Sequence, residues 1–419
     1  MFFLIFCRCL FRLMTSMNSK ERVWAAMNHQ EPDRVPVMCQ LALGHYFLNC
    51  RHRPSDIWFD SETFAHALVD LQKRYEFDGI LVNIPGRPPD WQSRLESYKR
   101  IGDTEYLYWK SGLETIVPPD DNPQTFRPGR APLERADYKT VDITDPATYR
   151  LPGYIWNTWH APELWGIDPR ADLSDSKSYP EWFTIGLKKA QQLAPDVSVH
   201  AEVFSPFTHL MELFGYEQAL LALCDAPDKC HEVLAILTRN VLARVELYGR
   251  CGPDAILVSS AFAGAGFISR QMYKKFVAPY EDPVFRAIHQ HGSKAYVHTC
   301  GAIGDRLDLM GETCVDGIDT LDPAPLGTVD LAEAKSKYGR RFFFKGNLDA
   351  VNEMLNADDR TFEQAVKDRI RIGKPGSGYI LSSACSVAPY VKPERLRRLV
   401  ELAREAARGT SDQSHIPNR

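Results

Sequence analysis

Short apolar runs alternate with longer amphipathic ones along most of the chain, and this rhythm limits the fold more than any other feature. The short runs fall near 35–38, 79–84, 197–203, 255–258, 295–298, 317–321, 342–345 and 378–381. Each is too short for a buried helix and long enough for a strand covered on both faces. Helical periodicity fills most of the later gaps, at 217–248, 269–291, 330–338, 361–372 and 393–407. Buried strands alternating with helices imply parallel βαβ units, and eight of them predict an α/β fold of the (β/α)8 TIM barrel type. A doubly wound open sheet is the alternative, because periodicity does not report closure. Asn18-Ser19-Lys20-Glu21 has the capping-box pattern and predicts an N-terminal helix ahead of the first strand.

The rhythm breaks between residues 85 and 196. This stretch is rich in Pro, Asp, Trp and Tyr and holds six of the eight Trp: Trp91, Trp109, Trp156, Trp159, Trp165 and Trp182. It predicts a large irregular insertion after strand 2. The insertion either builds a small core of its own or forms an aromatic lid over the barrel mouth. The domain reading is one barrel over 17–409 containing this insertion, with a polar flexible tail at 410–419. Residues 1–16 are apolar, but Arg8 and Arg12 interrupt them, and they are shorter than the roughly 20 residues that span a bilayer. They read as a disordered or mis-started leader, with Met17 as the start.

Composition excludes several function classes. The 419 residues are 44% hydrophobic and 25% charged, with formal net charge −4, so no nucleic-acid or anionic-membrane footprint is present. Ten scattered Cys suit a reducing cytoplasm better than a disulfide scaffold. A homodimer is the expected assembly.

Two motifs carry chemistry. Val297-His298-Thr299-Cys300-Gly301 ends the fifth apolar run, and Ser383-Ala384-Cys385-Ser386 follows the eighth. Barrel chemistry sits at the C-terminal ends of strands, which is where His298, Cys300 and Cys385 fall. One imidazole and two thiolates form a zinc ligand set with an open fourth position, as in catalytic sites. Zinc with two thiolates is a weak Lewis acid, better suited to holding an incoming thiol as thiolate than to polarising a carbonyl. Asp322, in Asp319-Thr320-Leu321-Asp322-Pro323, is the candidate fourth ligand. His200 and Glu202 share one strand face and form a candidate polar pair at the site. Asn347 is placed after the seventh strand, where it could orient substrate or cap a helix. Cys224, Cys230, Cys251 and Cys314 read as packing residues, and Cys39 as core at the same rim.

At these residues the chain resembles the uroporphyrinogen decarboxylase superfamily. The matching pieces are Glu31-Pro32-Asp33-Arg34-Val35-Pro36-Val37, the His298 motif, Phe344-Lys345-Gly346-Asn347-Leu348-Asp349 and Gly378-Tyr379-Ile380-Leu381. The resemblance implies a (β/α)8 barrel. In the decarboxylases an Arg-bearing stretch follows the first strand and an Asp follows the second. Here Cys39-Gln40-Leu41-Ala42-Leu43-Gly44-His45 and Asn83 occupy those places. The other branch, corrinoid-dependent methyltransferases similar to methylcobalamin:coenzyme M methyltransferase, holds zinc through His-x-Cys and a distant Cys. His298, Cys300 and Cys385 match that set. The resemblance implies methyl transfer between a corrinoid (methylcobalamin) carrier, usually on a partner protein, and a thiol-type acceptor. A decarboxylase-like lyase acting on a tetrapyrrole and a non-catalytic corrinoid or tetrapyrrole binder are the rival readings.

Overall fold

A computed structural model describes residues 16–130, 135–149, 164, 166–168 and 171–412. Eleven strands are assigned among them. They are β1 (Gly79–Val82), β2 (Leu95–Ile101), β3 (Thr104–Trp109), β4 (Glu114–Val117), β5 (Gln124–Phe126), β6 (Ser198–Phe204), β7 (Ala255–Ser259), β8 (Lys294–His298), β9 (Gly317–Thr320), β10 (Phe343–Leu348) and β11 (Tyr379–Ser383).

A seven-stranded parallel sheet runs β1-β6-β7-β8-β9-β10-β11, each strand pairing with the next of its kind in the chain. Helices separate most of these strands, giving the expected α/β alternation. The sheet is curled and barrel-like. Its outward side chains, among them Val199, Ile256, Val258, Val297, Phe344 and Leu381, form one large core under the helices. Side chains of the opposite face join a smaller core, in which Leu81, Leu257, Tyr296, Phe343 and Ile380 pack against Val23, Ala26 and Met27. The helix Ser19–Met27, capped at both reciprocal positions by Asn18 and Glu21 as the sequence predicted, thus plugs one end of the sheet. Gly317 is required there, since a Cβ would lie 2.4 Å from the Phe343 ring.

The expected first strand at 35–38 is not a strand. Val37 makes an isolated parallel bridge to Leu381. Met38 N donates to Leu381 O at 3.0 Å, Leu381 N to Pro36 O at 2.9 Å, and on the other side Asp78 N donates to Val37 O at 2.7 Å. Pro36 has no N–H to extend the ladder toward the N-terminus, and pairing on the β11 side resumes only at Leu41, which bridges Val387. A buried charge cluster reinforces it. The Asp78 carboxylate accepts from Arg22, from Arg34, from the Ser19 hydroxyl and from Val37 N, all at 2.7–2.9 Å.

Two expected helices are each divided. The 217–248 pattern forms Tyr216–Asp225 and Pro227–Gly249, and the 269–291 pattern forms Arg270–Phe276 and Ala278–Gln290. Pro227 and Pro279 lack the N–H that an uninterrupted helix needs, so each opens a new first turn instead. The last helix, Pro393–Asp412, runs past residue 409 into the expected tail.

The stretch after β1 is more regular than expected. β2 to β5 make a four-stranded antiparallel sheet. Phe59 stacks on Trp91 at 5.3 Å and meets Trp109 edge-on at 5.0 Å. The Trp109 indole donates to Thr115 at 2.8 Å. Trp91 and Trp109 therefore belong to a local aromatic core. Trp156, Trp159 and Trp165 lie outside the described residues. The Tyr390 hydroxyl, in the loop after β11, donates to Asp120, tying this smaller sheet to the rim of the larger one. Among the described residues no helix is long and apolar enough to cross a membrane.

Candidate metal centre

The parallel strands bring three distant residues together. His298 is the last residue of β8, Cys300 stands two further on, and Cys385 stands two beyond the end of β11. Three strand spacings separate β8 from β11, roughly 14 Å across a flat sheet. Yet one ligand atom from each of His298, Cys300 and Cys385 lies within 4.8 Å of the other two. Sheet curl and the two loops supply the difference. Gly301, at φ 75°, makes the turn after Cys300 and donates its N–H to Asp322 Oδ2 at 2.6 Å.

His298 Nε2 faces the Cys300 sulfur at 3.3 Å. Nδ1 faces Asp319 Oδ2 and the Thr320 hydroxyl, each at 2.9 Å. The other Asp319 oxygen accepts from Lys345 Nζ at 2.8 Å. These groups are set by strand register. Ser259 pairs with His298, His298 with Asp319, and Asp319 with Lys345 across β7 to β10. The same face of β6 carries Glu202, which accepts a hydrogen bond from Ser259. A polar layer thus lies above the apolar plug. Thr320 (φ 80°) and Leu321 (φ 55°) follow in the left-handed region. That is costly for a β-branched residue and typical of functional turns.

The electrostatics suit a thiolate site. The hydrogen bond from Cys300, together with His298, holds Cys385 well below the ordinary thiol range. Cys300 is pushed well above it, by its bond to Cys385 and then by burial. Burial lowers His298, but Asp319 and Cys385 outweigh it and raise the group to about 10. Burial opposes charge on Asp319, and Lys345 and His298 overcome it, leaving the carboxyl at about 2. Burial raises Glu202 to about 7 against the Ser259 hydrogen bond. Burial lowers His200 to about 4. His200 sits one layer below Glu202, between the Ser198 hydroxyl at 3.1 Å and the Tyr296 hydroxyl at 2.9 Å.

The sequence-predicted residues divide accordingly. His298, Cys300 and Cys385 converge. Asp322 lies beside them, its Oδ2 taken by Gly301 and its acidity reduced by burial. Asn347 is inside β10 rather than after it, buried, with Nδ2 donating to Leu321 O at 2.9 Å and Oδ1 accepting from Arg369 at 3.3 Å. Cys39 is buried at the rim, outside the His298 group. Of the cysteines expected to pack, Cys230 is buried, Cys251 and Cys314 are half-buried, and Cys224 is exposed. Its place on the helix Tyr216–Asp225 turns it away from the apolar stripe. Lys345 and Asp319 form a buried ion pair against His298, a juxtaposition the sequence reading did not foresee. The available signal was the odd-even alternation along β10, which puts a Lys on the same face as Phe343.

The family description "Uroporphyrinogen decarboxylase (URO-D)" matches residues 174–406, more than half of the chain. The chain belongs to this family. Curated relatives named uroporphyrinogen decarboxylase include one from Nocardia farcinica, 30% identical over 186 residues, 43% of this chain and 49% of that protein. Another, from Thioalkalivibrio sulfidiphilus, is 25% identical over 187 residues, 44% of this chain and 51% of that protein. The chain spans about half the length of these relatives. A methyltransferase from Methanosarcina mazei has the same fold, with a TM-score of 0.66 at 14% identity over 93% of this chain and 99% of that one.

Proposed function

We propose that this URO-D family member is a zinc-dependent methyltransferase that moves a methyl group between a corrinoid carrier, or a methylated small molecule, and a thiol-type acceptor. The observation that carries the reading is the convergence of one imidazole nitrogen and two thiol sulfurs within 4.8 Å. Nitrogen and two sulfurs fit zinc, and three protein ligands leave a position for substrate. Zinc held by His298, Cys300 and Cys385 would keep an acceptor thiol deprotonated and nucleophilic.

The chain's own residues do the rest. Asp322 is the proposed fourth ligand in the resting site; among the described residues no hydrogen bond engages its Oδ1. Glu202, buried and raised to about 7, is placed to hold or take up a proton near neutral pH. Asn347 is a proposed substrate contact by position, although its amide now spans from Leu321 to Arg369. Val37, hydrogen-bonded toward both sheet edges, is proposed as the eighth stave that closes the barrel.

The decarboxylase reading rests on the names of the curated relatives. Against it, no Arg stands between Val35 and His45, and Asn83 follows β1. A panel decides between them: methylcobalamin with assorted thiols in one arm, uroporphyrinogen in the other. Demethylation of methylcobalamin that is lost in Cys385→Ser supports the proposal. Carboxyl loss from uroporphyrinogen with no methyl transfer overturns it. Spectral binding of cobalamin without turnover of either substrate leaves a binder.

A further inference from the structure

We propose that Asp319 and Lys345 are positioning residues for the metal centre: Lys345 clamps the Asp319 carboxylate against His298 Nδ1, so that Nε2 is the nitrogen offered beside the two sulfurs. The inference rests on the zinc reading and assigns the second layer of that same site.

An imidazole can bind metal through either nitrogen, and the partner of the other nitrogen decides which. Here Asp319 Oδ2 and the Thr320 hydroxyl each lie 2.9 Å from Nδ1, of which only the carboxylate carries charge, while Nε2 is 3.3 Å from the Cys300 sulfur. Each Asp319 oxygen has its own partner, Oδ2 with His298 and Oδ1 with Lys345 at 2.8 Å. The carboxylate therefore cannot rotate without breaking a bond. The Asp319 and Lys345 side chains are each 2% exposed, so neither pairing competes with bulk water. The three residues stand in register on β8, β9 and β10, fixed by backbone ladders rather than by loops. Charge is balanced within the pair itself, because Lys345 offsets Asp319. The ammonium thus lets a carboxylate stay charged next to a thiolate-rich centre.

The competing explanation is that Asp319 and Lys345 are only a buried ion pair filling the polar layer. Replacing both partners of such a pair by neutral groups of similar shape is often neutral for stability, whereas removing one leaves a stranded charge. That asymmetry separates the two roles. Wild type, Asp319→Asn, Lys345→Met and the double variant are compared for metal-free thermal unfolding and for zinc affinity by chelator competition. The expected result is that each single variant is destabilised and the double variant recovers most of the wild-type melting temperature. Zinc affinity should still be about 10–100-fold weaker in the double variant, the usual loss when a ligand's outer partner is removed. A ¹⁵N-histidine spectrum of the zinc form should show metal on Nε2 of His298 in wild type and a mixture in the double variant. A double variant that binds zinc as tightly as a zinc-binding wild type overturns the inference alone. A wild type that takes up no zinc overturns the metal reading and this inference with it.

Discussion

Removing Asp78 should open the sheet at one identifiable place. Its carboxylate is fully buried, and the Arg22 and Arg34 side chains around it are 8% and 9% exposed. In Asp78→Ala, Arg22 keeps Asp33 at 2.6 Å, but Arg34 is left with only the Val35 carbonyl among its buried side-chain bonds. Val37 N loses its acceptor as well. Breaking a buried ion pair from one side costs about 3–5 kcal/mol. At about 2.1 cal/mol/K per residue over 419 residues, the unfolding entropy is about 0.9 kcal/mol/K, so the melting temperature should fall by about 3–6 °C. The loss should also be local. Amide exchange at Met38, which donates to Leu381 O, should accelerate more than at Val258 in the sheet centre. A melting temperature within 1 °C of wild type, or exchange that accelerates equally at both positions, would refute the view that this cluster holds the seam.

Other consequences follow from the same structure. The folded protein keeps His200 neutral down to about pH 4, while the unfolded chain protonates it near 6.5. Stability from this group is therefore intact above pH 6.5 and is lost as pH falls from 6.5 toward 4, by at most about 3 kcal/mol; urea unfolding of wild type against His200→Gln should diverge only in that window. Glu202 has the opposite sign, because its folded value of about 7 lies above the unfolded 4.5, so Glu202→Gln should gain stability relative to wild type as pH rises from 4.5 to 7. Trp109→Ala removes an aromatic packed against Phe59 and should cost the smaller sheet about 3–5 kcal/mol. Limited proteolysis should then cut within 95–126 while β6 to β11 stay protected; unchanged digestion would contradict the local-core account. Asp322→Asn should weaken zinc binding in chelator competition, and unchanged affinity would leave three protein ligands.

The convergence of His298, Cys300 and Cys385 was legible in the sequence because all three sit at or just past strand ends. Val297-His298 and Leu381-Ser382 each read as apolar runs stopping at polar residues, and barrel logic put both stops on one rim. The second layer was not legible, because Asp319 and Lys345 acquire meaning only through register. Nothing in Phe343-Phe344-Lys345 says that Lys345 lies level with Asp319 until β9 and β10 are paired. The failed strand at 35–38 has a cause visible in the sequence, the missing N–H of Pro36, which outweighed the apolar pattern around it. Pro227 and Pro279 broke continuous helical periodicities in the same way. The small antiparallel sheet stayed hidden because β2, at 95–101, is exposed along most of its length, while β3, β4 and β5 alternate in burial but bury the polar Glu105, Thr115 and Thr125.

The proposed function requires His298, Cys300 and Cys385 to hold one metal ion. Protein purified without chelator should contain about one zinc per chain by elemental analysis, and Cys385→Ser should lose most of it while remaining folded. Full zinc content in Cys385→Ser, or a wild type free of zinc after purification in zinc-supplemented buffer, would contradict it.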